Sequence, residues 1–261
     1  MPKGVIICDY LKIKGIVPDE LQDLELPSTI KGIVPDELQD LELPSTVEIM
    51  RERVEFLQKL GLTIDDINEY PLMLGYSVRK HVIPVLAYLE RIGIERSRLG
   101  EFVKLYPQCL HASVVVELVP VVKFLRGLDV EKDDKVVVRM LERRAYILGY
   151  DLEETVKLNV NCLLSFGISR EALPSVIARY PQILGLPLKA KLSSQQYFFN
   201  LKLRIDPDGF ACVIERMPQI VSLQQHVILK PIEFLLGRGF SVEDVAEMII
   251  KCPQLLYKLA S

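Results

Sequence analysis

Apolar residues recur three and four positions apart along most of the chain after residue 55. In the segment 85–93, Val85, Leu86, Leu89 and Ile92 follow this spacing and Gly93 ends it. Such spacing places apolar side chains on one face of a helix. No segment shows the sustained alternation and tight turns of paired strands, so the sequence predicts an all-α chain.

A short proline motif recurs through the same region, as in RYPQILG at 179–185 and RMPQIVS at 216–222. Its anchor positions lie 36, 38, 36, 37 and 35 residues apart, and they are Pro71, Pro107, Ala145, Pro181, Pro218 and Pro253. Each repeat reads as a proline motif, a helix, a glycine and a second helix. One repeat cannot bury its apolar face alone, so repetition predicts a stack of repeats.

Prolines and glycines mark the same places in several repeats. A second proline follows the anchor by thirteen residues at Pro84, Pro120 and Pro231. Proline removes a backbone donor inside a helix, so we expect bent helices and a curved solenoid, of right or left hand, built from repeats of about 36 residues. Glycines that should close helices in the left-handed conformation are Gly61, Gly93, Gly127, Gly167 and Gly239.

The first 46 residues differ from the rest. The 17 residues at 13–29 recur unchanged at 30–46. Residues 1–46 hold four lysines and nine acids, whereas the other 215 residues hold 28 basic and 26 acidic groups. We therefore divide the chain into an exposed acidic arm, 1–46, and a repeat domain, 47–261, of about six repeats with the last incomplete.

The composition excludes several classes of protein but does not identify a function. The chain has 261 residues, 49% of them hydrophobic, which excludes a disordered protein. It has no apolar run of the roughly 18 residues that a membrane span needs. The five cysteines are widely separated and predict buried thiols, and the three histidines lie in separate repeats. We therefore expect no catalytic site, cofactor, metal, small-molecule substrate or membrane contact.

A cation stands two residues before the anchor in four consecutive repeats: Arg143, Arg179, Arg216 and Lys251. Equivalent positions of a stack share one surface, so these cations could line up against a phosphate backbone. They could equally serve as the cations that a helix C-terminus favours. A second, less regular set lies in the helix after the motif, with Lys80 and Lys230 as its main members.

The motif [YM]-P-[QL]-[IMC]-[LV], the proline-bearing helix and the closing glycine together resemble the mitochondrial transcription termination factor (mTERF) family. The resemblance covers roughly 55–256, and KPIEFLLGRGFSVEDVAEMIIKCPQLL at 230–256 is similar to the plant organellar branch. It implies a curved α-solenoid with a positively charged groove that binds double-stranded DNA or RNA. It also implies a role in transcription, its termination, or RNA processing such as group II intron splicing, with other organellar proteins as partners.

The resemblance favours a chloroplast first and a mitochondrion second, although this chain carries no recognisable transit segment. One region departs from the pattern, because 18 residues separate Gly127 from Ala145, whereas 14 separate Gly93 from Pro107, Gly167 from Pro181 and Gly239 from Pro253. The run 131–141 could be a seam where repeats were lost. The competing hypothesis is a protein-interaction scaffold, which the small net charge of the repeat domain keeps open.

Overall fold

The computed structural model describes residues 3–16, 46–128 and 134–258. Its regular secondary structure in those ranges is helical, and they contain no strand. The predicted all-α class is confirmed. Most of the 17-residue duplication and part of the 131–141 run lie outside the described residues.

The chain forms two compact units. The first comprises residues 1–122 and 141–149, and the second comprises 123–140 and 150–261. Two helices, α6 and α7 below, contribute residues to both.

In chain order the α-helices are α1 (Lys3–Ile13), α2 (Val47–Lys59), α3 (Ile64–Glu69), α4 (Ile83–Ile92), α5 (Leu99–Leu105), α6 (Val119–Leu128), α7 (Asp134–Arg143), α8 (Leu158–Ser165), α9 (Leu173–Arg179), α10 (Leu188–Leu203), α11 (Pro207–Arg216), α12 (Gln225–Gly237), α13 (Val242–Lys251) and α14 (Leu255–Lys258).

Each of the first five anchors begins a short 3-10 helix. These are Pro71–Gly75, Pro107–Leu110, Ala145–Gly149, Pro181–Gly185 and Pro218–Ser222. Proline suits the first position, because its missing N–H would have no helical partner there, and it forces the preceding residue out of the α region. Tyr180, before Pro181, accordingly has φ −139° and ψ 70°. Ala145 forms the same turn and is fully buried, so packing maintains the turn where proline is absent.

Two of the three second prolines follow a π-helical turn, and the bend predicted at these prolines stays a prediction. π-helical turns at Val78–Val82 and Val114–Leu118 precede Pro84 and Pro120, but the turn Leu152–Lys157 precedes Leu158, where there is no proline. Pro231 lies inside the uninterrupted helix α12. Proline lacks the N–H that a helix would use, and the change of hydrogen-bonding register in a π turn is compatible with that loss. The π turn therefore accommodates proline without depending on it.

Four of the five glycines close helices as predicted. Gly61, Gly93, Gly167 and Gly239 have positive φ angles between 87° and 113°. The prediction is wrong for Gly127, which lies within α6. In the repeat without a closing glycine, Arg204 takes the left-handed conformation with φ 55° and ends α10.

The N-terminal helix α1 corrects part of the predicted arm. Leu11 and Ile16 are buried, and Asn68 Nδ2 donates a hydrogen bond of 3.1 Å to the carbonyl of Gly15. Residues 3–16 therefore pack on the first unit instead of forming an exposed tract, because apolar side chains of α1 contribute to its core. The remaining arm, 17–45, lies outside the described residues, and the boundary at residue 46 stays a prediction.

Polar side chains join consecutive repeats, and two of them are buried, Arg53 and Gln195, whereas Asn159 is half-buried. Arg53 Nη1 donates to the carbonyl of Leu74 at 2.6 Å in the first unit. In the second unit, Asn159 Nδ2 donates to the carbonyls of Leu184 and Leu186, and Gln195 Nε2 donates to those of Ile220 and Leu223, at 2.7–3.1 Å. All three side chains reach the 3-10 turn of the next repeat or the residues just after it. They satisfy carbonyls that a short helix leaves without intrahelical partners.

Candidate nucleic-acid interface

The predicted row of cations is best defined in the second unit, where Arg179, Arg216 and Lys251 end α9, α11 and α13 and are exposed. The helices end there because the anchor motif follows. Arg179 Nη1 donates a hydrogen bond of 3.0 Å to the carbonyl of Arg216. Arg216 Nη1 donates one of 2.7 Å to the carbonyl of Lys251. Each arginine thus binds the end of the equivalent helix one repeat later.

Further contacts fix these side chains. Arg179 Nε and Nη2 donate to Ser175 Oγ at 3.2 and 2.6 Å, one turn earlier on α9. Lys251 Nζ pairs with Glu247 one turn earlier on α13. Gln254 Nε2 donates to the carbonyl of Arg216 at 3.4 Å. The three cations are therefore ordered at the surface, and the arginines also bind the negative end of a neighbouring helix.

The other predicted site residues lie elsewhere. Arg143 ends α7 and is exposed, but it belongs to the first unit. Lys80 is exposed in the π turn Val78–Val82 of the first unit, whose next residues begin α4. Lys230 is exposed on α12 in the second unit, just before Pro231. Only Arg179, Arg216 and Lys251 are brought together here as a continuous, hydrogen-bonded row.

Tyrosines join consecutive repeats within each unit, a feature that the sequence did not predict. Tyr180 Oη donates to Ser222 Oγ at 2.8 Å in the second unit. In the first unit, Tyr70 Oη and His111 Nε2 lie 3.0 Å apart, and the ring of Tyr106 occupies the space beside Gly149. In these three repeats the residue before the anchor therefore meets the fifth residue of the next motif. The signal available in the sequence was this pairing of a large residue with a small or polar one 41 to 43 positions later.

The cysteines only partly match the prediction of buried thiols. Cys109 is fully buried, and burial raises the pKa of its thiol far above the ordinary value. Burial also raises the pKa of the half-buried Cys162. Cys212 and Cys252 are exposed, which corrects the prediction for both. Cys212 lies on the solvent-facing side of α11 and Cys252 follows the last residue of α13, so neither side chain packs into the core.

Within the described ranges, no cluster of three or more histidine, cysteine or acidic side chains could hold a metal ion. No helix among those residues combines the length and apolar character that crossing a bilayer would require.

These features define an all-α helical-repeat protein whose second helices end in a row of exposed cations. Comparison with known proteins agrees. The family model described as mTERF matches residues 86–135 and 133–260. The chain belongs to the mTERF family, and the predicted resemblance is confirmed. The two matches meet inside the irregular 131–141 run.

Several curated plant proteins are similar to this chain. Transcription termination factor MTERF4, chloroplastic, of Arabidopsis thaliana is 47% identical over 98 residues, which cover 38% of this chain and 15% of that protein. The Zea mays protein of the same name is 42% identical over 95 residues, 36% of this chain and 16% of that protein. Transcription termination factor MTERF15, mitochondrial, of Arabidopsis thaliana is 23% identical over 245 residues, 75% of this chain and 53% of that protein. The chain thus spans about half or less of the length of these relatives.

Proposed function

We propose that this protein is a non-enzymatic nucleic-acid-binding protein of an organelle. It would regulate transcription or its termination, or RNA processing such as group II intron splicing. Membership of the mTERF family and the names of the relatives as transcription termination factors support this function. Double-stranded DNA or structured RNA is the proposed ligand, with other organellar transcription or RNA-processing proteins as partners.

The row of Arg179, Arg216 and Lys251 carries the proposal. A guanidinium has five N–H donors, and Arg216 uses one of them on the carbonyl of Lys251, which leaves donors for a phosphate. Because the bond already orders the side chain, less rotamer freedom is lost when a phosphate binds. The row would follow a phosphate backbone at one cation per repeat, and Arg143, Lys80 and Lys230 would add contacts.

The chloroplast is the first proposed location, since three relatives named chloroplastic are 40–47% identical to the chain over their matched parts. The mitochondrion is the second, because the relative that matches the largest share of the chain is named mitochondrial.

A salt titration of binding tests the function. Labelled duplex DNA and duplex RNA are titrated with the protein at several salt concentrations, and the slope of log affinity against log salt is measured. Arg179→Gln and Arg216→Gln should each weaken binding similarly across sequences and lower the slope by roughly one. Arg170→Gln is the matched control, because Arg170 is exposed in the same unit at the opposite ends of the helices. Absence of binding to any nucleic acid at low salt would exclude the function.

A protein-interaction scaffold is the second candidate. Val115 and Val116 of the first unit are 76% and 74% exposed, and neighbouring apolar side chains at the surface favour a protein partner. If the protein is a scaffold, replacing both Val115 and Val116 by serine should abolish binding to the protein partner and leave nucleic-acid binding unchanged.

A further inference from the structure

Two large aromatic side chains are exposed on the first helices of consecutive repeats in the second unit. Tyr197 on α10 is 68% exposed and Phe234 on α12 is 46% exposed. Each lies sixteen residues after its own anchor, Pro181 or Pro218, so the two positions are equivalent. Leu201, one turn after Tyr197, is 61% exposed and extends the surface. Burial in the hydrophobic core therefore does not account for these rings.

The orientation of α10 is fixed by its buried side. Gln195 is buried and donates to the carbonyls of Ile220 and Leu223. Tyr197 follows two residues later, about 200° around the helix, and so points away from the core. Gln225 Nε2 at the start of α12 donates to Ser194 Oγ of α10 at 3.1 Å, which shows that the two helices are neighbours. The aromatic rings thus belong to one face, with one ring per repeat.

The two helices are also basic, although the whole chain has a net charge of −3. Helix α10 contains three lysines and no carboxylate. On α12, Lys230 is exposed one turn before Phe234, and the guanidinium of Arg238 lies 4.9 Å from the centre of the Phe234 ring. From 188 to 203 and from 225 to 238, five cations stand against one carboxylate; the charged residues are Lys189, Lys191, Lys202, Lys230, Arg238 and Glu233.

We infer that this face binds single-stranded nucleic acid, with unpaired bases stacked on Tyr197 and Phe234 and phosphates held by the surrounding cations. The inference rests on the proposed function and specifies its ligand. In a duplex the faces of the bases are covered by neighbouring base pairs, so exposed aromatic rings gain little from it. In a single strand every base presents a free face, and a basic surface with aromatic platforms is typical of proteins that bind such strands.

Leucine substitutions test the inference, because leucine keeps apolar area and charge but removes the aromatic face. Binding of a labelled 15-nucleotide RNA, the same DNA strand and both duplexes is measured by fluorescence anisotropy. Tyr197→Leu and Phe234→Leu should each weaken single-strand binding on the order of ten-fold and leave the salt slope and duplex affinity unchanged. An abasic strand should bind the unaltered protein about as weakly as the intact strand binds the double variant. Tyr257→Leu is the control, because Tyr257 is an exposed aromatic on the short helix α14 and on neither α10 nor α12.

The outcomes separate the two proposals. Unchanged single-strand affinity in the leucine variants, or an equal loss for duplexes, would overturn the inference and leave the proposed function in place if binding remains salt-dependent. Failure of every strand and duplex to bind at low salt would overturn both. A difference in affinity between the RNA strand and the DNA strand would identify which of them this face recognises. Either preference supports the inference. Thermal unfolding of each variant confirms that it is folded.

Discussion

Arg216 binds the backbone carbonyl of Lys251 through a hydrogen bond of 2.7 Å, although 35 positions separate the two residues. Arg179 makes the same contact with the carbonyl of Arg216. Each arginine ends one helix and caps the equivalent helix of the next repeat. The two interpretations of these arginines, as partners of a helix end and as members of a surface row, are therefore compatible. One guanidinium caps a helix and also lies in the row.

The first prediction separates the hydrogen bond from the charge at Arg216. Both Arg216→Lys and Arg216→Gln should lower the free energy of unfolding by about 1 kcal/mol, because both remove the guanidinium that donates to the carbonyl of Lys251. Only Arg216→Gln should also reduce the salt slope of nucleic-acid binding. Urea denaturation and the binding titration on the same preparations measure the two effects. Equal stability of all three proteins would show that the contact contributes nothing.

The second prediction concerns the buried amide of Gln195. Gln195→Leu should lower the free energy of unfolding by about 2–4 kcal/mol, because the carbonyls of Ile220 and Leu223 lose their donor while staying buried from water. Gln196→Leu is the matched control on the neighbouring, half-buried position and should change stability by less than about 0.5 kcal/mol. Similar results for the two variants in urea denaturation would contradict the role of the Gln195 bonds.

The third prediction concerns Gly100, where α5 packs on the end of α2. A Cβ at Gly100 would lie 2.2 Å from the carbonyl oxygen of Leu60, which is main chain and cannot rotate away. Gly100→Ala should therefore destabilise the first unit by about 2 kcal/mol or more. Gly127→Ala is the contrasting variant, because Gly127 is helical and nothing lies within 4 Å of its Cβ position. It should stabilise the protein by about 0.5–1 kcal/mol, and calorimetry can compare the two.

The fourth prediction uses the duplication. Removing 13–29 or 30–46 gives the same protein, because the copies are identical. The remaining copy restores the Gly15 and Ile16 pair after α1, and its 12 linker residues can still span about 40 Å. The free energy of unfolding should change by less than about 1 kcal/mol. Leu11→Ala, which removes a buried side chain of α1, should cost about 2 kcal/mol or more. A larger loss from the deletion than from Leu11→Ala would show that the second copy contributes to the core.

The fifth prediction concerns the capping box at the start of α13. The Ser241 hydroxyl and backbone N–H donate to Asp244 and hold the pKa of its carboxyl below the ordinary value near 4. A depressed pKa means that the ionised carboxylate adds stability that is present above pH 4 and lost as pH falls through the lowered pKa. Asp244→Asn should therefore lower Tm at pH 7 and have little effect near pH 2. An equal loss of Tm at both pH values would contradict an electrostatic origin.

The repeat period and the turns could be predicted from the sequence because proline acts locally on backbone geometry. The hydrogen bond from Arg179 to the carbonyl of Arg216 could not be predicted. Every residue has a backbone carbonyl, so the sequence does not show which one a side chain will bind. Gln195 and Asn159 likewise read as surface positions until the next repeat covers them. The left-handed conformation of Arg204 could not be predicted either, since glycine adopts it in four other repeats and arginine rarely does.

Two kinds of contact between consecutive repeats differ in what they require of the neighbouring repeat. Arg53, Asn159, Gln195 and the arginine row bind main-chain carbonyls, which every repeat presents whatever its side chains. Tyr106 against Gly149 instead requires a particular neighbour, because a Cβ there would lie 2.1 Å from the tyrosine hydroxyl. A junction held through carbonyls alone would tolerate the exchange of its repeats, so the number of repeats could grow or shrink there by recombination without compensating substitutions. The tyrosine pairs mark the junctions where such exchanges are constrained.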